Sequence, residues 1–198
     1  MTRLVVKRES LGINTKHTSV SYVDGNGEQV LVGTEHPFPT EDHFSVNLHL
    51  GNAYSFGAVN DFANKLGDGD SLDIAIAFGA NTEANISIEG LCGGDAEGFL
   101  YEDAVATGGT AGTAVNLNRN STNTSNSAIT VNPTVTSTGT LLGKYLVLGG
   151  TGKKAAGGDM AGSSLIAKPL TNYLLRLTNV NGTDHVAEII ITWFEQEL

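Results

Sequence analysis

The chain has 198 residues, a formal net charge of −10 and a charged fraction of only 16%. It contains 25 Gly and 4 Pro, a composition that suits many short strands joined by tight turns. The 11 basic residues are scattered. Because phosphate backbones repel an acidic surface, no nucleic-acid partner is expected.

An N-terminal hairpin is predicted by residues 19–32. Residues 19–23 alternate in polarity, and residues 29–32 follow a turn with the Asp-Gly and Asn-Gly pairs typical of hairpins. Asp24, Asn26 and Glu28 could mimic half of a calcium loop, but the glycine and the distal glutamate of such a loop are missing. Residues 1–50 are therefore predicted to form an N-terminal arm and hairpin, ahead of a second domain at 51–198.

Residues 35–43 are predicted to be an extended connector, because Pro37 and Pro39 interrupt them. A half-buried strand is predicted next, from apolar residues that alternate with polar ones. These residues are Phe44, Val46, Leu48 and Leu50. His43 and His49 could share a metal ion only with a third ligand, and a solvated pair is the favoured interpretation.

One helix is predicted, over residues 56–66. Val59, Phe62, Ala63 and Leu66 recur at helical spacing, and Gly67 can end the helix.

From residue 70 onward, strand patterns recur roughly every ten residues, which is typical of a sandwich or jelly roll. Strands are predicted around 72–77, 86–90, 99–105, 115–118, 129–135 and 146–148. Residues 79–83 are predicted to join the first two as a hairpin. The polar residues 119–127 and the Gly-rich residues 149–163 are predicted to be surface loops, and Gly152-Lys153 lacks the Ser or Thr of a phosphate-binding loop.

The C-terminus carries two strong strand patterns, at 173–178 and 186–194, with residues 179–184 predicted to join them as a hairpin. Tyr173 and Trp193 are predicted to close the core. The fold predicted for the chain is all-β, an antiparallel β-sandwich that is jelly-roll-like, with an extended N-terminal arm and hairpin.

No catalytic, cofactor-binding or metal-binding residue is predicted. Common catalytic and nucleotide-binding motifs are absent from the sequence. The lone Cys92 follows an alternating apolar run and is predicted to be a buried small hydrophobe. The carboxylate pairs Asp68 with Asp70 and Asp95 with Glu97 could be catalytic or cation sites, but a turn requires the same residues.

No secretory leader or membrane span is apparent, so synthesis in a cytoplasm is expected, without a membrane partner. Asn-x-Ser/Thr triplets are therefore interpreted as chance products of an Asn- and Thr-rich chain. They begin at Asn85, Asn120, Asn123 and Asn181.

Residues 70–198 resemble a family of tailed-phage virion proteins, the capsid decoration or cement proteins. The resemblance rests on an ordered set of segments rather than on a catalytic motif. These are Asp-Gly-Asp-Ser-Leu-Asp-Ile (68–74), Tyr-Glu (101–102) leading into Gly-Gly-Thr (108–110), Asn-Leu-Asn-Arg-Asn-Ser (116–121), Lys-Pro-Leu-Thr-Asn-Tyr-Leu-Leu-Arg-Leu-Thr-Asn (168–179) and Thr-Trp-Phe-Glu (192–195).

The resemblance implies a jelly-roll-like body that binds the major capsid protein on the outside of an icosahedral shell, often as a homotrimer. Residues 1–50 and the loop at 149–163 are predicted to contact capsid subunits or sister protomers. Two alternatives stay open. The first is a phage tail, fibre or glycan-binding protein, which would need aromatic residues along a groove, and the tyrosines are dispersed in the sequence, at Tyr22, Tyr54, Tyr101, Tyr145 and Tyr173. The second is a glycan-acting enzyme that uses paired carboxylates.

Overall fold

The computed structural model describes residues 4–11, 15–23, 29–31, 43–149, 156–159 and 165–197. The chain divides into two compact units, residues 1–42 and residues 43–198. The division thus falls after residue 42, where the sequence suggested residue 50.

The first unit contains a three-stranded antiparallel sheet. Its strands are β1 (Leu4–Leu11), β2 (Thr15–Val23) and β3 (Gln29–Leu31), in the order β1-β2-β3. The predicted hairpin is confirmed, because Ser21 of β2 lies opposite Leu31 of β3. Strand β1 was not predicted. The turn at 24–28, with its calcium-loop alternative, and the connector at 35–42 lie outside the described residues.

The second unit begins with one helix and continues as strands. The elements are α1 (His43–Leu50), β4 (Ala53–Asn60), β5 (Ser71–Phe78), β6 (Thr82–Cys92), β7 (Ala96–Glu102), β8 (Val105–Thr107), β9 (Thr110–Gly112), β10 (Val115–Asn116), β11 (Ser127–Val131), β12 (Thr134–Ser137), β13 (Thr140–Val147), β14 (Ala156–Asp159), β15 (Leu165–Ala167), β16 (Asn172–Asn179) and β17 (Ala187–Glu197). All of the strand pairings are antiparallel.

These strands form two sheets and a small ribbon. Sheet I has the order β10-β4-β17-β6-β14, with β15 also paired to β6. Sheet II has the order β13-β7-β16-β5-β11-β9, and β8 pairs with β12 in a separate ribbon. One buried apolar cluster draws residues from both sheets. The predicted all-β antiparallel sandwich is therefore confirmed.

The strand order follows a double Greek key. The eight principal strands are, in chain order, β4, β5, β6, β7, β13, β14 with β15, β16 and β17. Numbered one to eight, they have the order 1-8-3-6 in sheet I and 2-7-4-5 in sheet II. This interleaving of two sheets is the winding of a jelly roll.

Large side chains on the inner faces of the central strands form the core. Trp193 on β17 and Tyr173 on β16 are both fully buried, as the sequence predicted. The Trp193 ring packs at 5.9 Å from the ring of Tyr54 and at 6.3 Å, edge to face, from that of Phe78. Such pairs each add about 1 kcal/mol beyond the burial of their area.

The segment between β7 and β13 closes one side of the sandwich. Its strands β9 and β11 extend sheet II beyond β5, and its strand β10 extends sheet I beyond β4. The chain crosses from one sheet to the other between Gly112 and Val115. We call this segment, residues 103–139, the insertion. Because unpaired strand edges are templates for association, the insertion protects the edge of β4 in sheet I and the edge of β5 in sheet II.

The predicted helix and the strand predicted before it are both wrong. The structure has a helix where the strand was predicted and a strand where the helix was predicted to begin. Residues 53–60 form β4, which pairs with β17 along its whole length. Val59 and Phe62, two residues of the supposed helical face, are exposed. Residues 43–50 form α1, where Asn47 is buried and the alternating Phe44 and Val46 are both partly exposed.

Two predicted hairpins are also wrong, because each joins strands of different sheets. Residues 79–81 connect β5 of sheet II to β6 of sheet I, and residues 180–186 connect β16 of sheet II to β17 of sheet I. Gly and Asn suit the sharp turn of a hairpin and the corner of a sandwich equally well. Gly182, with φ of +76°, is such a corner residue.

Three asparagine side chains of the insertion cap the C-terminus of α1. The last carbonyl groups of a helix have no partner within the helix, so they need donors from elsewhere. The amide nitrogen of Asn118 lies 3.0 Å from His49 O, that of Asn123 3.3 Å from Leu50 O, and that of Asn116 2.9 Å from Gly51 O. The polar loop predicted at 119–127 is thus largely non-regular, and parts of it are hydrogen-bonded to the helix end.

We expect Asn116→Ala to lower the free energy of unfolding by about 2 kcal/mol, since Asn116 also donates to Asn123 O and accepts from the Asn118 N–H. Urea denaturation followed by circular dichroism measures this change. Asn120→Ala is the matched control, because its side chain makes no hydrogen bond within the described residues. An equal loss in both variants would contradict the capping role.

Candidate interaction surfaces

Strand β13 is an open edge that carries exposed leucines. Within the described residues it is the last strand on its side of sheet II, paired only with β7. Leu141, Leu142, Leu146 and the following Leu148 are between 42% and 66% exposed. The one charged side chain of β13, Lys144, is held by Glu97 at 2.8 Å. Edge strands in natural proteins usually carry unpaired charges or proline, which discourage pairing with another chain. The β13 edge has neither, so it favours association with a partner.

A β-bulge adds to the apolar surface of this edge. The register shifts by one residue between Leu141 and Gly143, which leaves Leu142 as the extra residue. As a result, Leu141 lies opposite Tyr101 while Lys144 lies opposite Phe99, on the outward side of sheet II.

Two aromatic rings of β7 continue this apolar area. The rings of Phe99 and Tyr101 stack with centroids 6.0 Å apart, and the Lys144 ammonium lies 5.2 Å from the centre of the Phe99 ring. We call the four leucines with these two aromatic residues the β13 patch. Partly exposed aromatic and aliphatic side chains of this kind are characteristic of protein-binding surfaces.

A second apolar surface lies at one end of sheet I. A groove of about 270 Å³ is lined by Val59, Phe62, Leu91 and Val186, with carboxylates at its rim. Phe62 is 85% exposed. Cys92 also lines the groove, but the residue is almost fully buried and its thiol is free, as predicted for a small hydrophobe.

At the other end of sheet I the inner face changes from apolar to polar. Along β17 the inward row runs through Ile189, Ile191 and Trp193 and continues as Glu195 and Glu197. Thr82, opposite Glu197, ends the corresponding row of β6. The sandwich therefore opens into a polar recess.

This recess, which we call the mouth, has a volume of about 600 Å³. Sheet I supplies one wall, with Tyr54, Glu195 and the preceding Asn52, and the insertion supplies the other, with Thr122, Thr124 and Asn126. An adjoining recess shares Tyr54 and Thr124 and contains Arg119. No sequence motif predicted this site, since its walls come from four separate segments.

Glu195 is a fixed part of the mouth. Its carboxylate accepts hydrogen bonds from the Trp193 indole N–H at 2.9 Å, from the Asn126 backbone N–H at 2.9 Å and from the Ser125 hydroxyl. Asn126 in turn donates to the Thr82 hydroxyl at 2.7 Å. These bonds join the insertion to β17 through Glu195 and to β6 through Thr82. They therefore fix the distance between the two walls of the mouth.

Tyr54 is buried but its hydroxyl has no hydrogen-bond partner among the described residues. The residue is only 3% exposed and lines both the mouth and the adjoining recess. Burial, with a further contribution from the negative charge of Glu195, raises the pKa of the Tyr54 phenol. The hydroxyl therefore keeps its proton and remains a donor at neutral pH.

Sheet II carries a partly buried ion pair on its outward side. The Arg176 guanidinium donates two hydrogen bonds to the Asp73 carboxylate, at 2.8 Å and 2.7 Å. This bidentate hydrogen bonding is the main cause of a raised Arg176 pKa. Asn132 of the insertion accepts from the Asp73 N–H and donates its own N–H to Asp73 O, so the backbone of Asp73 also anchors the insertion.

The predicted carboxylate pairs lie in turns and at strand ends. Asp68 accepts a hydrogen bond from the Gly182 N–H at 2.8 Å, and Asp95 accepts one from the Gly149 N–H at 2.8 Å. Glu97 pairs with Lys144. Asp68, Asp95 and Glu97 thus bind backbone groups and a lysine, as carboxylates in turns and at strand ends commonly do.

The other residues singled out in the sequence are also dispersed. His49 is exposed at the end of α1. In the described ranges, no three His, Cys, Asp or Glu side chains are close enough to hold a metal ion. Most of the Gly-rich loop, including Gly152-Lys153, lies outside the described residues, although β14 pairs with β6.

Two of the four Asn-x-Ser/Thr asparagines use their side chains within the fold. Asn123 belongs to the helix cap, and the Asn181 side chain contacts His185 at 2.7 Å and accepts from the Asp95 N–H. Attachment of a glycan to either would break these contacts.

No described helix is long and apolar enough to cross a membrane.

Comparison with known proteins identifies no relative. No protein-family model, no curated protein and no solved structure matches the chain.

A buried phenol and an ion pair join the start of β16 to β7. The Tyr173 hydroxyl donates to the Glu102 carboxylate at 3.0 Å, and Lys168 donates to the same carboxylate at 2.7 Å. The hydrogen bond from Lys168 is the main cause that lowers the Glu102 pKa, with a smaller contribution from Tyr173. Burial raises the pKa of Tyr173 to about 12.

We expect Glu102→Gln to destabilise the protein modestly at neutral pH and less in acid. Because the folded-state pKa of Glu102 is lowered, its contribution is present above the ordinary value of 4.5 and is lost as the pH falls through the folded-state value. Urea denaturation of both proteins at about pH 7 and about pH 3 measures the difference. A pH-independent difference would contradict this linkage.

Proposed function

We propose that this chain is a capsid decoration protein of a tailed phage, which binds the major capsid protein on the outside of the shell and stabilises it. In this proposal the protein acts through contact surfaces and performs no catalysis. The partner is the capsid lattice, and the decorating unit is a homotrimer.

The observation that carries the proposal is the β13 patch. Among the described strands, the eight-residue β13 has one edge without a partner, so it offers backbone groups to a partner strand, and its leucines add apolar area to the same contact. Burial of apolar surface stabilises a contact by about 25 cal/mol per Å². Several such contacts in one oligomer strengthen binding through effective concentration.

The sequence and its charge support the same role. The segments that resemble decoration proteins lie within residues 68–195, and most of them form the strands of the sandwich. With a formal net charge of −10, the surface would be repelled by packaged DNA, which favours the exterior of the shell. The sheet in residues 1–42 and the loop at 149–163, which follows β13, are proposed as additional contacts to capsid subunits or sister protomers.

We expect the double substitution Leu146→Glu and Leu148→Glu to abolish binding to capsids. Both side chains are exposed, so the fold should remain intact while two charges enter the apolar contact. Co-sedimentation with undecorated shells of the phage that encodes the chain measures binding. Leu170→Glu is the control, because Leu170 is exposed in the turn before β16, two strands away. Undiminished binding of the double variant would remove the β13 patch from the proposal.

We expect the purified protein to have about three times the chain mass of 20.6 kDa in solution, or to reach that state on the shell. Light scattering of the free protein and counting of copies per binding site on decorated shells measure this. One copy in both states would contradict the trimer.

A further inference from the structure

The mouth is a recess whose polar groups are only partly used by the fold. Glu195 is saturated by three donors, and Thr82 and Asn126 bind each other. Within the described residues, no hydrogen bond involves the side chains of Thr122, Thr124 or Glu197, or the Tyr54 hydroxyl. A set of free donors and acceptors therefore faces one cavity of about 600 Å³, which is within the usual range for ligand sites.

Tyr54 provides the best-placed donor in the mouth. Its ring is fixed against Trp193, with centroids 5.9 Å apart, and its hydroxyl opens onto the mouth and the adjoining recess without a hydrogen-bond partner among the described residues. A phenylalanine would fill the same space in the core but would lack this donor. The hydroxyl is therefore available to a ligand in the mouth.

The chemistry of the lining selects the class of ligand. The carboxylates Glu195 and Glu197 repel anions such as phosphate, while hydroxyl and carboxylate oxygens accept hydrogen bonds from ligand hydroxyl groups. Arg119 in the adjoining recess adds a donor for a ring or glycosidic oxygen. Such a set fits a neutral molecule with many hydroxyl groups.

We propose that the mouth is a binding site for a neutral carbohydrate, of about one or two sugar units, which receives a hydrogen bond from the Tyr54 hydroxyl and is held between Glu197 and the Thr122–Thr124 segment. This site is distinct from the β13 patch, which lies on the opposite side of sheet II from the insertion. A copy bound to the capsid through the β13 patch could therefore bind a carbohydrate in the mouth at the same time.

The test uses the full-length protein and the methyl glycosides of glucose, galactose, mannose and N-acetylglucosamine. Ligand-observed NMR measures binding of each glycoside, and titration gives its dissociation constant. We expect at least one to bind in the millimolar range, and we expect Tyr54→Phe and Thr124→Val each to weaken it about tenfold, the loss of one hydrogen bond.

Two controls separate the site from the fold. Tyr145→Phe removes a phenol hydroxyl on β13, and Thr134→Val removes an exposed hydroxyl on β12; neither should change binding. Tyr54→Phe should leave the unfolding midpoint unchanged or raised, because the hydroxyl it removes has no partner in the described fold.

Three results would overturn the proposal: no binding of any glycoside, binding that Tyr54→Phe and Thr124→Val leave unchanged, or changes in the protein spectrum with calcium chloride but not with any glycoside. The last would assign the free Glu197 carboxylate to a cation instead. Co-sedimentation with shells is measured separately, so loss of the carbohydrate site leaves the capsid proposal intact, and the reverse also holds.

Discussion

The structure depends on the pairing of the last strand, β17, at the centre of sheet I. All eleven of its residues pair with β6, and residues 187–194 also pair with β4. The inward row of this strand supplies Ile189, Ile191 and Trp193 to the core, then Glu195 to the mouth. Because β17 joins β4 to β6, sheet I is continuous only through this strand, and the fold is dominated by contacts between residues far apart in the sequence.

Period-two patterning predicted the class of the fold because burial of one sheet face imposes it directly on the sequence. It failed where a long-range contact decides the local structure. Residues 43–50 alternate like a strand, yet they form a helix whose last carbonyl groups are capped by asparagines from residues 116–123. Residues 56–66 contain helical spacings, yet residues 53–60 form a strand, because all eight of them pair with β17. In both cases the segment that decides the structure lies far away in the sequence, so a short stretch of sequence does not reveal it.

The same limit explains the two wrong hairpins and the unpredicted mouth. A Gly-Asn turn fixes a change of direction but not the sheet that receives the next strand, so 79–81 and 180–186 gave no local sign that they cross the sandwich. The mouth needs Tyr54, Thr82, Thr124 and Glu195 side by side, which only the finished topology provides. One sequence signal did exist, since the alternation of β17 continues past Trp193 into Glu195 and Glu197, and an inward row that turns acidic marks the open end of a core.

The two edges of the sandwich differ in the length and polarity of their outermost strands, and this asymmetry links the fold to the proposed role. On one side the insertion adds the short strands β9, β10 and β11, and the outermost of these, β9 and β10, have three residues or fewer, too few to recruit a partner strand. On the other side, in the part of the chain that the structure describes, sheet II ends in the eight-residue β13 with its leucines. A protein that only had to remain monomeric would gain from charges on that edge. In the proposed role the capsid partner covers this apolar, bulged edge, and the mouth, which lies on the side of the insertion, is turned away from the contact.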